Sequence, residues 1–232
     1  MLAACLAAAA FAGVRAHTAE SPDYPAIFGE RYADGERFLR QNEWIAGALR
    51  LPPADARIAL AVVFPELVRY SALEDDIQVR ALKVLYVQYG RAHANFSVGR
   101  FQMKPSFAEQ VEADYRRLFS HRERGAIGIP AFERGDTPAA RERRVRRLDD
   151  MDWQVRYLRL FMLVMGKRYP GVATGGVEAR LRFHATAYNT GYAAGEAAIR
   201  RRIGRRRFHV ARFLPADTYD YADVAVSFLR RQ

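Results

Sequence analysis

Apolar residues recur at helical spacing along most of this chain, and the alternating spacing of strands is scarce. After Pro22 and Pro25, residues 27–51 read as one or two helices, ended by Pro52-Pro53. Residues 54–70 predict a strongly apolar helix, perturbed at Phe64 because Pro65 follows it. Residues 73–89 predict an amphipathic helix with Ile77, Ala81, Leu85 and Tyr89 on its apolar stripe. Residues 91–104 have no helical period and contain Asn95, Ser97 and Gly99. They read as a loop with short strands at most. A helix then starts at Pro105, where Ser106 and Glu109 have capping-box spacing.

Residues 121–137 carry Gly and Pro and read as irregular. Residues 149–168 predict a helix that is apolar on several faces, with Trp153, Tyr157, Phe161 and Val164 on one stripe. Such a helix sits at the centre of a fold. Residues 177–188, 193–203 and 219–229 complete the helices. The fold class is therefore mainly α, with at most a small β element near residues 97–103. No internal repeat is visible.

Composition changes this picture in three places. Half of the 232 residues are hydrophobic and 27% are charged, which suits a soluble core-forming chain. The net charge is +11, nearly all of the excess being arginine concentrated in residues 141–147 and 200–207. Each run alone is simply read as a solvated basic face. Together they suit a polyanionic partner such as the bacterial envelope, and with no nucleic-acid motif beside them nucleic acid is not an expected partner. The sole cysteine is Cys5 and the five histidines lack ligand spacing, so neither a disulfide nor a zinc centre is expected.

Residues 1–16 are alanine-rich and apolar. They read as the hydrophobic part of a secretory signal peptide, and Leu2-Ala3-Ala4-Cys5 makes Cys5 a candidate for lipid attachment. The expected organisation is an export segment at 1–16, a helical segment at 17–53 packing on the domain, and a catalytic domain at 54–232.

Three separated stretches carry candidate chemistry. Ile58, Val62 and Glu66 share one face of an apolar helix, so the Glu66 carboxylate points along a buried surface. Desolvation there would raise its pKa and let it donate a proton to a glycosidic oxygen. Taken alone, this helix fits better a Glu paired with a core arginine, or one turned outward at Pro65. In residues 97–106, Gly99 permits a positive φ or a close approach, Gln102 offers donors and an acceptor for sugar hydroxyls, and Met103 offers an adaptable apolar contact. An ordinary loop and helix start would explain Pro105, Ser106 and Glu109 fully, but not the polar-loop sequence before them. In Ala187-Tyr188-Asn189-Thr190-Gly191, the Tyr188 phenol could reach Glu66, or the segment could simply end a helix. Glu74, Asp75 and Asp76 could supply a second acid, although they read as an acidic helix start.

In order, these stretches resemble the soluble lytic transglycosylases over roughly residues 54–192. The resemblance rests on Glu66 in its helix, on Gly99, Gln102 and Pro105 as Gly-x-x-Gln-x-x-Pro, and on Ala187-Tyr188-Asn189-Thr190-Gly191. Leu67 stands where that family usually has Ser, and an apparent extra helix separates Glu66 from Ser97, which marks a divergent branch. The resemblance implies a lysozyme-like fold, peptidoglycan as substrate and a carbon–oxygen lyase that needs no cofactor. Glu66 would be general acid and then base in forming 1,6-anhydro-N-acetylmuramic acid. Tyr188 would orient it, and Ser97, Gln102, Met103 and Asn189 would line the groove. The expected location is the periplasm or cell envelope. A lysozyme- or chitinase-like hydrolase, a non-catalytic glycan binder and a basic nucleic-acid binder are the alternatives.

Overall fold

The computed structural model describes residues 22–70, 77–210 and 217–232. The expected export segment, Cys5, and Glu74, Asp75 and Asp76 lie outside the described residues.

The fold is mainly α. Three short helices, α1 (Tyr24–Phe28), α2 (Glu30–Gln41) and α3 (Trp44–Ala48), precede the long α4 (Pro53–Arg69). Then come α5 (Ile77–Tyr89), α6 (Pro105–Leu118), α7 (His121–Ile127), α8 (Pro138–Asp149) and α9 (Met151–Arg168). Four more follow, α10 (Pro170–Ala173), α11 (Val177–Thr190), α12 (Glu196–Arg200) and α13 (Tyr221–Arg230). Extended pairing among the described residues is limited to two isolated antiparallel bridges, Val98 with Met103 and Phe208 with Tyr219. No described helix is long and apolar enough to cross a membrane.

Two helices, α4 and α9, are apolar nearly all round and are buried accordingly. α4 begins with Pro53 in its first turn, where a missing amide costs nothing. It then runs unbroken through Pro65, so the perturbation expected at Phe64 does not end the helix. Packing supplies the reason: Phe64 stacks on Phe228 of α13 at 3.9 Å and meets Tyr32 of α2 edge-on at 4.8 Å. α11 and α13 pack on α4 from one side and α2 from another, while α6 and α8 pack on α9. Asp150 caps α9 by accepting from the Trp153 amide at 2.9 Å, and Asp220 caps α13 by accepting from the Ala222 amide at 3.0 Å.

Several expectations from the sequence need correction. The Ser106–Glu109 pair makes no capping box: α6 starts at Pro105, and Asn95 Oδ1 takes the Ser106 amide at 3.3 Å. A capping box occurs instead at Ser120–Glu123, opening α7 inside the stretch read as irregular. On α5 the face is different. Leu85 and Tyr89 are exposed, and Val79 and Tyr86 are the buried residues. The stretch read as a helix over 193–203 is a 3₁₀ turn, Tyr192–Ala194, followed by the short α12.

α8 escaped the sequence reading because its buried face is made partly of arginine. Arg144 sends Nε and Nη2 to the buried Glu112 carboxylate (3.1 and 2.8 Å to Oε2) and Nη1 to the Tyr86 hydroxyl at 2.7 Å. Tyr157 also donates to Glu112, at 2.6 Å. Arg141 donates to the Val87 and Gln88 carbonyls at 2.9 and 3.0 Å, tying α8 to the end of α5. Arg143 and Arg147 share Glu133. Within the run at 141–147, Arg141, Arg144 and Arg147 thus serve structural ion pairs and carbonyl contacts, while Arg143 and Arg146 remain on the exposed face.

Candidate active site

Every site residue expected from the sequence lines one cleft of about 340 Å³: Glu66, Ser97, Gln102, Met103, Tyr188 and Asn189. Arg69, Asn95, Lys104 and Ser106 line it too. Three chain segments converge there because α4 delivers Glu66, the 97–104 loop forms one wall, and the end of α11 forms the other.

Glu66 is 5% exposed, on the last turn but one of α4. Its Oε2 lies 3.8 Å from an Arg69 nitrogen, a loose pair one turn apart. Among the described residues lining the cleft, Glu66 is the sole carboxylate. The two positive residues, Arg69 and Lys104, leave the cleft mildly cationic.

The loop is a tight turn closed by the Val98–Met103 bridge and by the Gln102 amide donating to the Gly99 carbonyl at 3.0 Å. Gly99 has φ +68° and Gln102 φ +48°. The glycine is needed twice over. Its φ is left-handed, and a Cβ there would sit 2.0 Å from Gln154 Nε2. The close approach at Gly99 is therefore to a buried side chain of α9.

Gln154, 2% exposed, accepts from the Phe101 amide and donates to the Leu148 carbonyl, both at 2.9 Å. From the opposite side, the Tyr188 hydroxyl donates to the Phe101 carbonyl at 2.7 Å. Phe101 is thus held at both ends of its backbone by side chains from two helices. The Tyr188 phenol, expected to orient Glu66, holds the loop through this bond and lies near enough to feel the Glu66 charge. Its ring packs edge-on to Phe107 and Phe161 at 5.2 and 5.5 Å. Gln102 also turns inward, with Nε2 donating to the Gly99 carbonyl at 2.9 Å, so it shapes the loop as well as lining the cleft. Met103 is almost fully buried and floors the cleft. Ser97 and Asn189 remain accessible at its edge. Gly191 ends α11 with φ +93°, its amide returning to the Ala187 carbonyl at 2.9 Å.

The phenol beside Glu66 belongs to Tyr221, at the start of α13. Its hydroxyl donates to the Val62 carbonyl at 2.9 Å, and it lies close enough to Glu66 to feel the charge of the carboxylate. Burial, and then the Glu66 charge, hold both Tyr221 and Tyr188 well above the ordinary phenol range, so both stay protonated donors. No local pattern marked Tyr221 or Gln154. Tyr221 reads as an ordinary residue of an amphipathic helix, and Gln154 as a polar residue on an apolar one.

Compared with protein-family models, with curated proteins and with solved structures, the chain matches none.

Proposed function

We propose that this chain is a lytic transglycosylase that cleaves the glycan strands of peptidoglycan with Glu66 as its single acid and base. The observation that carries the reading is convergence. Motifs distant in sequence meet in one cleft around one buried carboxylate.

A two-carboxylate hydrolase needs a second acid across the scissile bond. Among the described residues the cleft lining holds Glu66 alone, Glu74, Asp75 and Asp76 lying outside them, and the mass of the products separates the two routes. In the one-carboxylate route the protonated Glu66 donates to the leaving O4 of N-acetylglucosamine as the C1–O4 bond of N-acetylmuramic acid breaks. The resulting carboxylate takes the proton of the muramyl 6-hydroxyl as O6 closes onto C1. Glu66 returns to its protonated form, and no water is consumed. Tyr221 keeps the carboxyl aimed in both steps. The 97–104 loop and Asn189 form the walls against which the sugars lie.

The test is Glu66→Gln with product analysis by mass. The wild type should release anhydro products, lighter by one water than hydrolysis products. The variant should lose about 10²–10⁴-fold in turnover, as for a positioned acid–base group. Turnover retained by the variant, or hydrated products from the wild type, refutes the reading.

A further inference from the structure

Behind Asn189 and Thr190, which it shares with the cleft, lies a second pocket of about 250 Å³. Three guanidinium-bearing residues, Arg202, Arg205 and Arg207, line it against one carboxylate, Asp220. Arg202 is fixed by its bond to the Thr190 carbonyl at 3.0 Å. Arg205 and Arg207 are exposed and form no ion pair among the described residues. Thr186, 3% exposed, and Asp220, 6% exposed, also line it, and the Thr186 hydroxyl and Asp220 Oδ2 both lack a hydrogen-bond partner. Buried polar groups are nearly always satisfied, so an orphan donor and an orphan acceptor beside the guanidiniums mark a place for a polar ligand. Tyr221 lines the same pocket while facing Glu66, so the pocket lies one side chain away from the reacting centre.

We infer that this pocket is a subsite for a carboxylate on a peptide attached to the glycan held in the cleft. The inference rests on the transglycosylase reading. In peptidoglycan, muramyl residues carry peptides on their lactyl group, and those peptides bear free carboxylates. A substituent hanging from a sugar at Asn189 would lead over the shared wall into the arginines. Three guanidiniums against the one Asp220 carboxylate leave the pocket with an excess of positive charge that suits an anion, and on a glycan-borne peptide that anion is a carboxylate. Arg202, Arg205 and Arg207 of the basic run at 200–207 therefore border the site.

The test uses the full chain, wild type and Arg205→Gln/Arg207→Gln, on two substrates: peptide-bearing glycan strands, and the same strands stripped of peptide by an amidase. Charge-assisted hydrogen bonds are the stronger class, and their loss should lower kcat/KM on peptide-bearing strands about tenfold. Turnover of stripped strands should hold. Thr186→Val, nearly isosteric, should show the same selectivity with a smaller loss. An equal loss on both substrates, or none on peptide-bearing strands, overturns the inference. If the wild type cleaves neither substrate, the transglycosylase reading itself fails. Calorimetric binding of a soluble disaccharide–peptide against the peptide-free disaccharide then decides the pocket by itself: tighter binding of the former, lost in the double variant, supports it, and equal binding overturns it.

Discussion

Gly99→Ala tests how the cleft wall is held. A Cβ at Gly99 would lie 2.0 Å from Gln154 Nε2, 2.7 Å from its Cδ and 2.9 Å from its Oε1, so the loop or the amide must move. Moving the amide abandons the Phe101 N–H and the Leu148 carbonyl, both bound at 2.9 Å in a buried setting. An unsatisfied buried group costs about 1–3 kcal/mol. The left-handed φ of +68° adds about 1–2 kcal/mol for alanine. The reduced freedom of the unfolded chain returns about 0.4–1 kcal/mol. The net expectation is a loss of roughly 2–7 kcal/mol, or a fall in Tm of roughly 5–25 °C for a chain this size. Thermal unfolding by circular dichroism measures it. Glycan turnover of whatever remains folded should fall as well, because the displaced loop is a cleft wall. A Tm within about 3 °C of wild type refutes the reasoning. The partner is checked with Gln154→Ala, which opens the space. In that background Gly99→Ala should cost only the backbone part, leaving a coupling of about 2 kcal/mol or more between the two sites.

Tyr221→Phe keeps the ring packed and removes the hydroxyl beside Glu66. Turnover should drop roughly 10-fold, the size of a hydrogen bond to a charged group; unchanged turnover would show that Tyr221 does not position Glu66. Arg144→Met strands the buried Glu112 and should cost about 3–5 kcal/mol, while glycan-strand binding by folded protein holds. Intact stability with weakened binding would return the 141–147 run to the surface. His184 supplies a pH dependence. Burial first, and then the Arg180 charge, push its pKa below 6.5 in the fold, against its bond to the Arg180 carbonyl and the Asp55 charge. Below pH 6.5 the unfolded chain takes up a proton that the folded chain refuses, so stability falls as pH drops from 6.5 toward the folded value. Comparing unfolding of wild type and His184→Asn over about pH 7 to 5 isolates this part; identical slopes would sink it. Asp114 and Glu178, both shifted downward, act in a more acidic window.

The sequence by itself determined the local facts. The pattern of 149–168, apolar on several faces, specified a central helix, because a helix without a polar face has to be buried, and 54–70 read as a second, strongly apolar one. The spacing of Ile58, Val62 and Glu66 placed a carboxylate on a buried face, and a glycine at 99 allowed a positive φ or a close approach there. Tertiary structure decided which groups meet. Tyr188 and Tyr221 both bring phenols near Glu66, yet one holds the Phe101 carbonyl and the other the Val62 carbonyl, 159 positions away in the chain. Gln154 became the clamp on the loop only once α9 lay behind Gly99. On α5, the stripe that looked apolar faced outward, because Val79 and Tyr86 found partners on the other side. On α8, arginines took buried positions because Glu112, Tyr86 and the last carbonyls of α5 were there to receive them. Hydrophobic periodicity is a property of neighbours along the chain. The burial of a charge, or the aim of a hydroxyl, depends on partners that only folding brings within about 3 Å.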